Sequence, residues 1–170
     1  MKSLRLLGIA LLLVIPFFSM NAQKAFTPQD LQAWKRITTR AISDDGQWTA
    51  VVFAPWVGDA EVQILASDGK AMQSYTPASE INFSSSSAFA LVKRVPALAL
   101  TDSLKLKKTK KDKMPMDELI IRNLKTGMEW VIDSLKGYKL AEEGDWLAYQ
   151  RTRKDSSLVV SLDEAKQYAV

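Results

Sequence analysis

The chain contains no histidine and no cysteine. The first absence removes any site that needs an imidazole to take up and return a proton near neutral pH, so no Ser-His-Asp or Cys-His arrangement is complete within these residues. Histidine-ligated zinc and haem are excluded on the same ground. The second absence removes thiolate nucleophiles, cysteine-ligated zinc and disulfides. The fold must therefore stand on its core alone, as bacterial envelope proteins often do and small animal secreted domains rarely do. What is present suffices for that: 47% of the 170 residues are apolar and 25% charged, the usage of a globular domain of ordinary size.

The N-terminus has three parts. Lys2 and Arg5 make a short basic start, an apolar stretch of 13 residues runs from Leu6 to Phe18 with only Gly8 and Pro16 interrupting it, and Ser19-Met20-Asn21-Ala22 follows. This is the pattern of a secretory signal peptide, and its apolar part is short of the roughly 20 residues needed to cross a bilayer. Residues 1–22 are read as the signal, with cleavage after Ala22 leaving Gln23 first. Met20 is larger than the residue preferred at its position, so neighbouring bonds stay open. The alternative is an uncleaved membrane anchor. No cysteine follows the apolar stretch, which excludes a bacterial lipid anchor. The expectation is export to the periplasm or beyond, with no stable membrane anchor after cleavage.

The net charge of +4 invites a nucleic-acid reading until it is located. Lys2 and Arg5 leave with the signal, which reduces it to +2. Residues 105–113 hold six lysines against Asp112, a net +5, so the rest of the mature chain carries −3. The protein reads as a mildly acidic domain with one lysine-rich loop at about 101–117. Such a run is usually a solvated insertion, and no aromatic interleaves with the lysines as a stacking platform requires; no nucleic-acid partner is expected.

Thr27-Pro28-Gln29-Asp30 has the chemistry of a helix start: a capping hydroxyl, a proline at the first helical position and an acid at the positive end of the dipole. Leu31, Trp34 and Ile37 follow at three-residue spacing, which predicts a short helix that packs on the domain through one apolar stripe. Residues 23–40 are assigned to this helix and its lead-in, and 41–170 to the domain.

Beyond Arg40 the period becomes two. Trp48 to Phe53 is β-rich behind the turn signal Asp44-Asp45-Gly46. Glu61 to Leu65 alternates, Ser67-Asp68-Gly69-Lys70 turns, and Ala71 to Tyr75 returns as partner strand. The unit recurs as Glu118 to Leu124, the turn Lys125-Thr126-Gly127, and Met128 to Ile132. Aligning the turns exposes a repeat. Asp45-Gly46-Gln47-Trp48-Thr49-Ala50 matches Glu143-Gly144-Asp145-Trp146-Leu147-Ala148, and Phe83 to Ala90 is a degenerate copy with serines in place of the acidic-glycine turn. The steps are 41 and 57 residues, and the excess in the second is close to the length of the lysine-rich insertion. A period of roughly 40–45 residues with about four short strands each is that of propeller blades. The expected fold is all-β: about three antiparallel blades of an incomplete β-propeller with TolB-like repeats, plus one short N-terminal helix. The rival is an ordinary antiparallel sandwich. Closed propellers usually have about four to eight blades, so three leave strand edges open to a protein partner.

The order of these segments resembles the N-terminal region of exported bacterial peptidases of the prolyl oligopeptidase family. The matching residues are Leu31 to Ile37, Ala41 to Ala50, Val57 to Val62, the lysine-rich stretch ending Met114-Pro115, Leu119 to Gly127 and Gly144 to Tyr149. The resemblance implies a propeller that precedes an α/β-hydrolase domain, covers its active site and limits access to short peptides. It also implies a serine nucleophile in a Gly-x-Ser-x-Gly elbow, with Asp and His further on. Neither that elbow nor any histidine occurs here, so no catalytic residue carries over, and peptide substrate would be met only through a hydrolase domain outside these residues.

Other candidate sites reduce to structure. Ser67-Asp68-Gly69-Lys70 fits Ser-x-x-Lys formally, but that chemistry needs the motif to open a helix, and here it joins two strands. Asp44-Asp45 and Glu142-Glu143 lack calcium-loop spacing and read as turn residues. Ser43 to Thr49 is one residue short of an Asp-box. Ser84 to Ser87 has no base to activate it. Asn82-Phe83-Ser84 is a glycosylation sequon, with meaning only in a eukaryotic secretory route. Trp48, Trp130 and Trp146 are expected in the core. Trp56, after Pro55, is the best candidate for exposure, with packing still preferred. No catalytic, cofactor-binding or metal-binding residue is assigned. Two further readings stay open: a free-standing TolB-like envelope protein that binds a protein partner, and an enzyme working through carboxylates alone, for which no spaced pair can be placed.

Overall fold

The computed structural model describes residues 27, 30, 34–152, 157–162 and 166–169. The expected signal peptide, its cleavage bond and Leu31 lie outside these residues. Residues Met1–Leu31 and Gln32–Val170 form separate units. In the first, the Thr27 N–H donates to Asp30 Oδ2 at 2.8 Å and the Asp30 N–H to Thr27 Oγ1 at 3.3 Å, the reciprocal capping expected of this helix start. No helix among the described residues is long and apolar enough to cross a membrane.

The second unit is built of antiparallel strands: β1 (Lys35–Ile42), β2 (Trp48–Pro55), β3 (Glu61–Ala66), β4 (Ala71–Tyr75), β5 (Ala78–Phe83), β6 (Phe89–Arg94), β7 (Asp117–Asn123), β8 (Glu129–Leu140), β9 (Trp146–Arg151), β10 (Ser157–Ser161) and β11 (Lys166–Ala169). One helix, α1 (Leu98–Leu106), lies between β6 and β7. β1 to β4 pair in order as one sheet, and β5 to β11 pair in order as another. Both predicted hairpins, β3–β4 and β7–β8, are present.

The seven-stranded sheet is two blades joined through one long strand. The first part of β8 pairs with β7 (Leu119 opposite Ile132), the second pairs with β9 (Leu140 opposite Leu147), and the register shifts between them. Ser134, at φ +53°, marks the break. Blade 1 is therefore β1–β4, blade 2 is β5, β6, β7 and the start of β8, and blade 3 is the rest of β8 with β9, β10 and β11. The predicted repeat falls at the same place in each, the turn between the first and second strands. The Ser43 N–H donates to the Trp48 carbonyl, Ser84 to Phe89 and Ala141 to Trp146, each at 2.9 Å. In all three turns the fourth residue has positive φ: Gly46 (+69°), Ser87 (+59°) and Gly144 (+73°). Ser87 thus holds the left-handed position that glycine fills in its two counterparts.

Blade packing explains the hydrophobic patterns. Ala50, Val52, Val62 and Ile64 of blade 1 bury against Ile81, Ala90, Val92 and Ile120 of blade 2. Phe89, Leu91, Leu119 and Ile121, on the other side of blade 2, bury against Leu135, Leu147, Tyr149 and Val160 of blade 3. Blade 2 is covered on both faces, so β6 and β7 carry runs of consecutive buried residues, whereas β2 and β9 alternate.

Two expectations are corrected. Ile37 belongs to strand β1 and is exposed, so Leu31, Trp34 and Ile37 do not form one helical stripe; β1 begins at Lys35, ahead of the expected boundary at residue 41. Three positions at helical spacing are too few to fix a period against the pairing energy of an adjacent strand. The lysine-rich segment is not a plain loop: it contains the end of α1 and a 3-10 turn at Lys111–Lys113.

Candidate functional site

Strand direction sorts the connections into two ends with different chemistry. The turns at 43–47, 67–70, 84–88, 124–128 and 141–145 lie at one end, and the connections at 56–60, 76–77, 95–116 and 133–134 at the other.

The turn end is cross-linked by polar groups, with Ile42 and Met128 exposed beside them. Asp45 Oδ1 accepts from Ser43 Oγ (2.6 Å) and from the Gln47 N–H (3.0 Å), and the Ser43 hydroxyl holds the Asp45 carboxyl below the usual range. The Asp45 N–H donates to Ser87 Oγ at 3.1 Å, and Ser85 Oγ donates to the Gly144 carbonyl at 3.1 Å, so the repeat turns of the three blades touch in sequence. Asp44-Asp45 and Glu142-Glu143 lie on the outer two of these turns with the serine turn between them; they are not brought together. Ser84 Oγ accepts from the Phe89 N–H (3.2 Å) and shares a hydrogen with Ser86 Oγ. Ser67 to Lys70 is the β3–β4 turn, with Gly69 at φ +77° and Asp68 accepting from the Lys70 N–H. These residues hold turns, as their spacing implied.

Ser87 yields a prediction. Ser87→Ala keeps the left-handed strain and orphans the Asp45 N–H, and is expected to cost about 1–2 kcal/mol. Ser87→Gly loses the same bond but relieves about 1 kcal/mol of strain. Urea denaturation should therefore find the glycine variant more stable than the alanine variant, the reverse of their usual order within strands.

The other end is apolar and basic. Trp56 is 81% exposed and Val57 stands exposed beside it. Packing was expected for Trp56, and the structure contradicts it: the loop leaves the sheet after Pro55 and carries the ring away from both cores. Asp59 in the same loop accepts the Leu98 N–H at 2.8 Å, supplying the cap that Ala97 cannot give α1. No residue of α1 is buried; Leu100 is exposed and Leu106 is 85% exposed among the lysines. Beside α1 runs a groove of about 320 Å³ lined by Pro77, Arg94, Pro96, Leu100, Pro115 and Met116. Arg94 pairs with Glu118, and Lys93 with Asp117 at 3.0 Å, fixing the stems from which the insertion departs. Of the other tryptophans, Trp48 and Trp130 pack on the two cores as expected, Trp130 with its ring centre 6.0 Å from Phe89. Trp146 was also expected in the core, but it is 45% exposed because it lies on the face of blade 3 turned away from blade 2. Asn82 is engaged, donating to Tyr138 Oη (2.7 Å) and Glu80.

A cavity of about 210 Å³ opens between blades 2 and 3, lined by Trp130, Tyr149, Arg151, Val160 and Ser161 among others. Among the described residues no carboxylate lines it. No cluster of three carboxylates suited to a metal occurs among the described residues.

Polar contacts between and within blades give two pH predictions. Glu61 accepts from Lys35 Nζ (2.8 Å), Ser74 Oγ (2.6 Å) and Gln63 Nε2 (2.8 Å), which lower its carboxyl to about 2. The stability this adds is present above the unfolded value, roughly 4.3, and is lost as pH falls through about 2. An NMR titration should place Glu61 far below the ordinary glutamate range, and Lys35→Ala should raise it. Tyr75 and Tyr138 are shifted upward, chiefly by burial, with Glu129 adding for Tyr75 and Glu80 for Tyr138. Both favour the protonated fold, so stability falls as pH rises above about 10, and absorbance at 295 nm should show their ionisation only with unfolding.

No family model matches the sequence, and no curated protein matches it. Solved structures do match in fold. The β-propeller domain of the trilobed protease of Pyrococcus furiosus, described as having an open velcro topology, superposes on 81% of this chain and 43% of its own length, with a TM-score of 0.51 and 10% identity. A prolyl endopeptidase, whose inter-domain dynamics act in catalysis and specificity, matches over 79% of this chain and 22% of its own, with a TM-score of 0.53 and 13% identity. A eukaryotic initiation factor matches over 80% and 33%, with a TM-score of 0.51 and 10% identity. The chain thus spans less than half the length of each of these structures. At these identities the likeness shows the fold, and the fold is that of an incomplete β-propeller: three blades of a ring that three blades do not close.

Proposed function

We propose that the chain is the N-terminal propeller portion of an exported serine peptidase of the prolyl oligopeptidase type, serving domain packing and substrate access without catalysing by itself. The observation that carries this reading is the asymmetry of the two blade ends. One is a ladder of hydrogen-bonded turns; the other presents Trp56, Val57, Leu100 and Leu106 to solvent and carries a largely apolar groove lined in part by Leu100. An exposed apolar patch rimmed by charge marks an interaction surface. In this reading a hydrolase domain packs on that end, and peptide reaches its active site only past the blades. The segment order that resembles this family, and the propellers of a protease and a prolyl endopeptidase among the fold neighbours, support it.

Reading the coding sequence beyond the codon for Val170 tests the proposal. A Gly-x-Ser-x-Gly segment followed by Asp and His is expected. A stop codon there would overturn it in favour of a free-standing TolB-like protein that binds a partner through the open edges and faces of its outer blades. Export is part of the same proposal: mass spectrometry of the mature protein from the cell envelope should find Gln23, or a residue next to it, at the N-terminus. An intact Met1 would contradict cleavage.

A further inference from the structure

The insertion between β6 and β7 has a base and a tip. The base is tied to the domain: Asp59 caps α1 at Leu98, Arg94 and Lys93 pair with Glu118 and Asp117 at the stems, and Leu100, Pro115 and Met116 wall the groove. Leu106 ends the helix, about 12 Å beyond the cap, and is not part of the groove wall. No residue of α1 is buried, so the helix adds no core to the domain. Lys105, Lys107, Lys108, Lys110, Lys111 and Lys113 are all exposed, with Asp112 the one acid among them, and Leu106 stands 85% exposed in their midst. The mature chain thus gathers a net +5 at this tip and carries −3 elsewhere.

We infer that the tip of the insertion, Lys105 to Lys113, docks the chain reversibly on an anionic lipid surface, with Leu106 entering the headgroup layer. The tip asks two things of a partner within a few residues: anions for the ammonium groups and apolar matter for Leu106. A leaflet of anionic lipid supplies both, and the lysine stems can lie along its boundary with their charges in the headgroups. Nucleic acid would supply the charge without the apolar layer, and no aromatic of the tip could stack on its bases. A helix end with one 3-10 turn presents a knob and not a socket, and a lipid surface needs no matching shape. The inference goes beyond the peptidase reading and does not need it: a domain that packs on Trp56 and the groove meets the base of the insertion, and the tip lies past it.

Sedimentation of residues 23–170 with lipid vesicles tests this; the signal is left off because its apolar stretch would bind lipid by itself. At about 0.1 M salt, vesicles of about one-third phosphatidylglycerol in phosphatidylcholine should hold the chain at least about tenfold more tightly than phosphatidylcholine alone, and about 0.5 M salt should release it. Lys107→Glu with Lys110→Glu should weaken binding at least about tenfold. Lys70→Glu with Lys125→Glu makes the same change of charge on exposed positions of the turn end and should leave binding within about twofold. Leu106→Ala should weaken it about threefold or more. All these side chains are exposed in the free chain, so each variant should keep native circular dichroism. No binding to anionic vesicles, equal binding to neutral ones, equal loss from the two lysine pairs, or an unchanged Leu106→Ala variant would each overturn the inference. The last of these, with equally tight binding to polyglutamate or duplex DNA, would reassign the tip to an acidic polymer.

Discussion

Leu91→Ala is expected to cost about 2–5 kcal/mol, and Ile120→Ala about as much, measured by urea denaturation. Both side chains are essentially fully buried, but in different cores: Leu91 points from blade 2 toward blade 3, and Ile120 from blade 2 toward blade 1. A loss of this size takes a large fraction of the stability of an ordinary domain. Because blade 2 forms one wall of each core, neither change can loosen one interface while leaving the blade's strands in place for the other. A single transition at lower midpoint is expected for both variants. Leu106→Ala, by contrast, removes a side chain already in water and should stay within about 0.5 kcal/mol. Separate unfolding of blades 1 and 3 in the Leu91 variant would contradict the shared-wall account.

The second large effect is expected at Glu129. Its carboxylate accepts from Tyr75 Oη at 2.6 Å and from Arg122 Nη1 at 2.5 Å, tying the outer strands of blades 1 and 2. The Arg122 side chain is only 13% exposed and its Nε finds no partner, so the guanidinium depends on this carboxylate. Glu129→Ala takes the anion away from a largely buried cation and a buried hydroxyl and should cost about 1–3 kcal/mol, discounted because Glu129 itself is about one-third exposed. Tyr75→Phe removes one donor and no charge, and should cost about 0.5–1.5 kcal/mol. The double variant should cost less than the sum, since both changes break the same bond.

Much of the architecture could be read from residue order. Alternation and turn chemistry placed the β3–β4 and β7–β8 hairpins, and the acidic-glycine turn before a tryptophan placed the repeat. The serine turn at 84–87 was found as a degenerate copy, and its register is confirmed by the left-handed Ser87. What could not be read depends on tertiary context. Nothing local distinguishes one strand that crosses from blade to blade at Ser134 from two strands with a turn. The Leu31-Trp34-Ile37 spacing suited a helix, yet β2 recruits Ile37 into a strand. The lysines hid α1, whose capping group, Asp59, comes from a distant loop. Exposure of Trp56 and Trp146 depends on which faces the blades cover, and the composition of a strand does not say which face that is. The absences of histidine and cysteine were the functional statements fixed by composition, since no folding can supply an imidazole or a thiol the chain lacks.

The claim that this chain is the non-catalytic propeller part of a peptidase is tested most directly by assaying residues 23–170, purified alone, with a fluorogenic prolyl peptide. Turnover at the level of the buffer blank is predicted. Hydrolysis that co-elutes with the protein and survives repurification would contradict it.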